Sequence, residues 1–266
     1  MDERRTEGGT PGAATMGPVG LGTMGIEDPD RVASAVETGY RHLDTAQIYD
    51  NEAVVGAGIE RAAAAREDLF VATKVWVDEL APADVVASTE ASLDRLGLDY
   101  VDLLYVHRPI GEYDPEETLP AFDRLREEGL VRNVGVSNFS PEQVAEAREV
   151  LDAPLLANQV EMHPLYRQPE LREDAQRRGY RLVAYSPLAQ GEVFEVPELR
   201  AVAEKHDATP AQVSLAWLAS LPNVVPIPRS ASDAHLRENL AALALALDDG
   251  DVAKIESIER TEKLFE

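Results

Sequence analysis

A closed (β/α)8 TIM barrel carrying two extra helices is the fold class this sequence predicts, on two observations. Apolar residues switch eight times from a short strand-like run to a helix-like face, the signature of a parallel sheet with helical crossovers. The length, 266 residues, matches the roughly 250 of one such barrel. Eight units in this length favour closure over an open, doubly wound sheet. An open sheet would carry a glycine fingerprint after its first strand, and G-L-G-T-M-G (20–25) lacks its spacing and its later acidic residue.

The strand-like runs are 19–22, 40–44, 69–74, 101–106, 132–136, 156–160, 181–185 and 224–227. The helical patterns between them are 28–38, 51–65, 83–96, 116–128, 141–150, 169–178 and 210–220, with one more at 233–243 after the last strand. Start and stop signals support several. Asp28 precedes Pro29, and Gly39 closes that helix. Ser140 and Thr209 each open a capping box with Gln three residues on. Val55, Ile59 and Ala62 share one helix face, and Leu119, Phe122 and Leu125 share another. The extra helices are 197–205, in the connection between the seventh and eighth strands, and 249–258, outside the barrel near the C-terminus. Residues 1–17, rich in Gly, Thr and Ala, are expected to form a flexible segment, with 18–266 as a single barrel domain.

Composition narrows the function. The 44% hydrophobic content provides ample core, but no stretch approaches the ~20 apolar residues of a membrane span. The N-terminal stretch lacks the apolar region of a signal peptide, so the expected location is cytoplasmic. The absence of cysteine excludes disulfides, thiolate metal sites and cysteine nucleophiles. The net charge is −24, and lysine occurs only at 74, 205, 254 and 263. Dispersed acidic residues with little lysine are expected in a protein adapted to concentrated salt, where cations screen self-repulsion. The same charge repels nucleic acid and anionic membranes.

Four residues carry the chemistry. Asp44, Lys74 and His107 stand where apolar runs stop, and Tyr49 follows the first of those stops by five residues. In a barrel those strand ends face one pocket. A tyrosine ordinarily loses its proton near pH 10, above the ideal for a donor at neutral pH. A neighbouring ammonium stabilises the phenolate. Lys74 can supply that charge, and Asp44 can hold it in a partly desolvated site. His107 can donate to a substrate oxygen and align the carbonyl. The set protonates a forming alkoxide. It contains no activated nucleophile and too few ligands for a metal, so it needs an external hydride source.

The chain resembles the aldo-keto reductase family over almost its whole length. The matching stretches, in order, are G-L-G-T (20–23), Y-R-H-L-D-T-A-Q-I-Y (40–49), N-E-A-V-V-G (51–56), T-K-V-W (73–76), D-L-L-Y-V-H-R-P (102–109), G-V-S-N-F (135–139), N-Q-V-E-M-H-P (158–164), A-Y-S-P-L-A-Q-G (184–191) and V-P-I-P-R-S (225–230). The resemblance is nearest to the prokaryotic branch that includes 2,5-diketo-gluconate reductases and methylglyoxal-type reductases. It implies reduction of aldehydes and ketones with NADPH, or with NADH, on a monomer whose partner is a small-molecule carbonyl substrate.

By that resemblance Tyr49 is the proton donor, Lys74 and Asp44 tune it, and His107 orients the carbonyl. Gly22, Thr23 and Asp44 border the cofactor. Ser137, Asn138 and Gln159 hold the nicotinamide carboxamide, and Tyr185 stacks on its ring. Ser186, Leu188 and Gly191 meet the pyrophosphate. Arg229 and Ser230 clamp a ribose 2′-phosphate, and His235, Glu238 and Asn239 lie toward the adenine. Met24, Tyr49, Trp76, His107 and Arg108 surround the substrate. Two other readings share this outline: a cofactor-binding regulatory module on the same barrel, like the potassium-channel β subunits, and a phosphate-binding isomerase.

Three departures modify the expectation. His235 stands where this branch usually has arginine, which weakens NADPH preference. Met24 and Arg108 stand where aromatic residues often wall the pocket; Arg108 either adds a positive charge suited to acidic or polyhydroxy carbonyls or points outward to the acidic surface. The long C-terminal substrate loop of many relatives is expected to be absent or reduced, giving broader specificity. The N-terminal hairpin that plugs the barrel bottom in relatives is hard to discern in residues 1–17.

Overall fold

The computed structural model describes residues 14–230 and 232–265. Eight parallel strands run around one sheet in chain order. They are β1 (Leu21–Gly22), β2 (His42–Asp44), β3 (Phe70–Val75), β4 (Leu103–Val106), β5 (Val134–Ser137), β6 (Leu155–Glu161), β7 (Arg181–Tyr185) and β8 (Val224–Pro226). The Gly20 N–H donates to Pro226 O at 3.0 Å and the Gly22 N–H to Pro228 O at 3.1 Å. These bonds join the β8 edge to β1, so the barrel closes as predicted.

Among the described residues ten α-helices surround the strands: α1 (Pro29–Thr38), α2 (Glu52–Arg61), α3 (Pro82–Leu96), α4 (Pro115–Glu127), α5 (Pro141–Val150), α6 (Pro169–Arg178), α7 (Pro197–Lys205), α8 (Pro210–Ser220), α9 (Asp233–Ala241) and α10 (Asp249–Glu256). Seven begin with proline, whose fixed φ and missing N–H suit a first turn. The Asp28 carboxylate caps α1, and both expected capping boxes form, at Ser140 and Thr209. Leu119, Phe122 and Leu125 of α4 are fully buried, each contributing about 1.5–3 kcal/mol by burial.

The largest boundary difference from the sequence pattern lies at the end of α2, expected to run to residue 65. Alanines 62–64 favour helix, yet α2 stops at Arg61 and Ala62 is extended. The chain must turn there to deliver Arg66, whose guanidinium donates to Leu69 O, Tyr100 O and the Asp102 carboxylate. Tertiary bonding overrides propensity.

Strand alternation decides what fills the barrel. Phe70 and Ala72 of β3, Leu103 and Tyr105 of β4, Ala157 of β6 and Val183 of β7 form one inner cluster with Ile227. Alternate residues face the same way. Lys74, His107, Gln159 and Tyr185 are therefore in phase with that interior, one layer further toward the C-terminal mouth. Neighbours of opposite phase, such as Val71, Val75, Leu104 and Val106, belong to the core beneath the helices. The cluster depends on close approach at Gly135, where a Cβ would lie 2.7 Å from the Tyr105 ring. At the other end Ala14 and Met16 pack against the inner cluster. The N-terminal segment thus contributes to the floor, although residues 1–13 of the expected flexible segment lie outside the described residues.

Candidate active site

At the C-terminal mouth β2 and β3 place Asp44 and Lys74 side by side. Lys74 is 0% exposed and Asp44 1%. Lys74 Nζ donates to Asp44 Oδ1 at 2.5 Å, to Thr45 O at 2.7 Å and to Tyr49 OH at 3.4 Å. Burial alone would lower the lysine pKa, but the Asp44 carboxylate and the Tyr49 hydroxyl outweigh it, and the net direction is upward. Lys74 therefore stays charged in a dry site. The second Asp44 oxygen accepts from Gln159 Nε2 at 2.6 Å, so neither oxygen lacks a partner.

Tyr49 ends a short helical turn, Gln47–Tyr49, followed by left-handed Asp50. Gln47 anchors this turn. Its amide donates to Ser92 Oγ and Ser88 O, and its carbonyl accepts from the Trp76 N–H at 2.9 Å. Gln47 was not among the expected site residues. The signal was its place within T-A-Q-I-Y, two residues before the tyrosine.

The His107 ring stands edge-on to Tyr49, with centroids 6.0 Å apart, and to Trp76 at 4.9 Å. Burial, then the charges of Lys74 and Arg108, push its pKa down to about 3. His107 is thus neutral at physiological pH, one ring nitrogen donating and the other accepting. Its Nδ1 is buried without a partner, which leaves Nε2 as the nitrogen available to a ligand.

A cleft of about 660 Å³ joins these residues to a second wall. There Tyr185 OH donates to Asn138 Oδ1 at 2.9 Å, Asn138 Nδ2 donates to Ser137 Oγ at 3.1 Å, and Ser137 Oγ donates to Gln159 O at 2.9 Å. This chain links β5, β6 and β7 and fixes the polar face. Beyond it, Ser186, Ala189 and Gln190 all adopt positive φ, as does Gly191. Such conformations cost non-glycine residues energy and persist where the surroundings impose a particular loop shape. Arg229 lies at the far end, its guanidinium donating to Met24 O at 3.2 Å.

The sequence profile of the aldo/keto reductase family matches residues 18–260. The chain belongs to this family. It is 39% identical over 250 residues to an aldo-keto reductase of Mycolicibacterium smegmatis, covering 92% of this chain and 90% of that one. It is 37% identical over 249 residues to the glyoxal reductase of Bacillus subtilis, with 92% and 90% covered. Among solved structures, an aldo-keto reductase of Bombyx mori in complex with NADP superposes with a TM-score of 0.88 at 32% identity, covering 95% of this chain and 92% of that one. This reductase is therefore an oxidoreductase of carbonyl compounds.

Most of the expected site residues of the reductase line one cleft: Gly22, Thr23, Met24, Asp44, Tyr49, His107, Arg108, Ser137, Asn138, Gln159, Tyr185, Ser186, Leu188, Gly191 and Arg229. Lys74 lies directly beneath, bonded to Asp44 and Tyr49. The Thr23 hydroxyl is engaged internally, donating to Asp44 O. Trp76 stands beside the cleft, edge-on to His107 at 4.9 Å. Ser230, His235, Glu238 and Asn239 lie outside the lining. Ser230 Oγ accepts from the Ser232 N–H, and Asn239 is buried beside Tyr40. Phe265 also lines the cleft, so the tail reaches the pocket although the long substrate loop of many relatives was expected to be absent or reduced. Among the described residues no helix is long and apolar enough to cross a membrane.

Proposed function

We propose that the protein reduces aldehydes and ketones to alcohols, with NADPH as the preferred cofactor and NADH as an alternative, and with Tyr49 as the proton donor. The observation that carries this reading is the contact sequence Asp44–Lys74–Tyr49 at the cleft, beside a neutral His107.

The cofactor assignment rests on the donor set of the second wall. Ser137, Asn138 and Gln159 match an amide, Tyr185 offers a flat aromatic surface, the strained loop 186–191 suits a pyrophosphate, and the Arg229 guanidinium suits a 2′-phosphate. The Bombyx mori relative was solved with NADP. When bound, the nicotinamide cofactor supplies the hydride. Tyr49 OH and His107 Nε2–H bind the carbonyl oxygen and orient it. As negative charge develops on that oxygen, Tyr49 passes its proton to it. The Lys74 ammonium stabilises the resulting phenolate, and Asp44 keeps the ammonium in place. The buried pair is organised before reaction, so little reorganisation is required during it.

Turnover tests the reading. Oxidation of NADPH dependent on glyoxal or methylglyoxal is expected. Tight cofactor binding with no turnover of any aldehyde would instead favour the regulatory module.

Cofactor choice follows from the replacement at position 235. Arg229 remains to meet a 2′-phosphate, but His235 lacks the guanidinium fork. A charge-assisted hydrogen bond contributes about 1.5–3 kcal/mol, or roughly one to two decades. His235→Arg should therefore raise the ratio of kcat/KM for NADPH over NADH by about that factor. An unchanged ratio would remove position 235 from the cofactor site.

A further inference from the structure

Glu161 closes β6 and is 2% exposed, yet the carbonyl chemistry above makes no use of it. Its carboxylate is engaged by the tail that follows α10. Oε1 accepts from the Leu264 N–H at 2.7 Å and Oε2 from the Phe265 N–H at 3.0 Å. His163 Nε2 lies 3.0 Å from Oε1. Upstream, the Glu262 N–H donates to Leu165 O at 2.8 Å.

Two consecutive amides on the two oxygens of one carboxylate make a charge-assisted clasp, with each bond roughly twice as strong as a neutral one. The low local dielectric strengthens both. Residues 258–265 form no helix or strand of their own, so local structure does not otherwise fix Phe265. With the clasp made, the Phe265 ring joins the cleft lining and stands edge-on to Tyr185 at 5.6 Å.

We propose that Glu161 is a positioning residue. By holding the amides of Leu264 and Phe265, it sets Phe265 as a wall of the substrate end of the cleft, and this wall favours carbonyl compounds bearing a flat apolar group beside the reacting carbon. The inference rests on the reductase reading of the cleft. An aromatic wall adds about 0.5–1.5 kcal/mol for a second ring beyond simple burial, which is about two- to tenfold in kcat/KM. Glutamine at position 161 keeps the size of the side chain. It replaces one acceptor oxygen by an NH2 group that faces a backbone donor.

The test compares phenylglyoxal with methylglyoxal in wild type, Glu161→Gln, Phe265→Ala and the double variant. The kcat/KM ratio of the aryl to the methyl substrate should fall about two- to tenfold in each single variant. In the double variant it should fall no further than in Phe265→Ala alone. Separately, amide exchange at Leu264 and Phe265 should be at least about tenfold faster in Glu161→Gln than in wild type, the loss of about 1.4 kcal/mol of protection. An unchanged ratio in Phe265→Ala, a further fall on adding Glu161→Gln to it, or unchanged amide exchange would overturn the proposal. If wild type reduces neither aldehyde, it is the reductase reading that fails, and amide exchange still decides for or against the clasp.

Discussion

Asp44 and Asp102 are the same side chain, each 1% exposed, at opposite ends of the barrel. Asp44 ends β2 at the C-terminal mouth, and Asp102 precedes β4 at the N-terminal end. Each meets a cation. The partner of Asp44 is Lys74, itself fully buried and touching Tyr49. The partners of Asp102 are Arg66 and Arg132, with side chains 20% and 35% exposed, which sandwich the Tyr100 ring at 4.1 and 3.9 Å. Asp102 also accepts from the Val71 N–H. Burial raises its pKa, with the Val71 amide and Arg66 opposing. One aspartate holds a charge in position for a proton donor; the other ties a loop to two strands. Burial and an ion pair do not identify a functional carboxylate. What the paired cation touches next does.

The largest effect that would sharpen this contrast is expected at Lys74. Lys74→Met leaves Asp44 buried without its charge partner and removes the cation beside Tyr49. It should lower kcat by about 10²–10⁴, the range for loss of general acid catalysis, and cost about 3–5 kcal/mol of stability. Steady-state kinetics and denaturant unfolding measure both. A variant with near-normal kcat would erase the distinction between the two ends.

Asp102→Ala should do the converse. Arg66 can turn to water, but the Val71 amide loses its acceptor, so about 1–3 kcal/mol of stability should go. The kcat of the folded enzyme should remain close to wild type. A large fall in kcat without loss of stability would show that the bottom of the barrel communicates with the site.

A smaller effect concerns His42, which lies on β2 two residues before Asp44. Both of its ring nitrogens are buried without partners. Burial lowers its pKa to about 4, with Asp44 raising it and Lys74 lowering it further. Between pH 6.5 and about 4 the unfolded chain binds a proton at this residue that the folded chain does not. Stability is therefore complete above pH 6.5 and falls as pH drops through that window, by on the order of 3 kcal/mol. His42→Leu should flatten this part of the Tm-against-pH curve. An unchanged slope would show that the imidazole is protonated alike in both states.

Much of this arrangement was legible in the sequence. The eight strands were marked by apolar runs. Once they form a barrel, the two-residue period brings Asp44, Lys74, His107 and Gln159 into the same interior. Tyr49 was reachable because its turn follows β2 directly. The parts that could not be read join residues far apart in the chain. Glu161 and Phe265 are separated by more than a hundred positions, with no local pattern linking them. Trp76 was placed at the pocket wall by resemblance, and its ring stands edge-on to His107. Glu238 and Asn239 followed from resemblance alone, and Asn239 is buried beside Tyr40. A short segment reaches the cleft because a buried carboxylate draws its backbone there, and sequence does not show which backbone amide a carboxylate will meet.

The most direct test of the account is single-turnover reduction of methylglyoxal by Tyr49→Phe with NADPH bound. The substitution removes one hydroxyl and leaves Lys74, Asp44 and the second wall in place. Cofactor affinity should stay near wild type, while the rate of the chemical step should fall by about 10²–10⁴. A Tyr49→Phe protein that binds NADPH normally and reduces methylglyoxal at the wild-type rate would contradict the assignment of Tyr49 as proton donor.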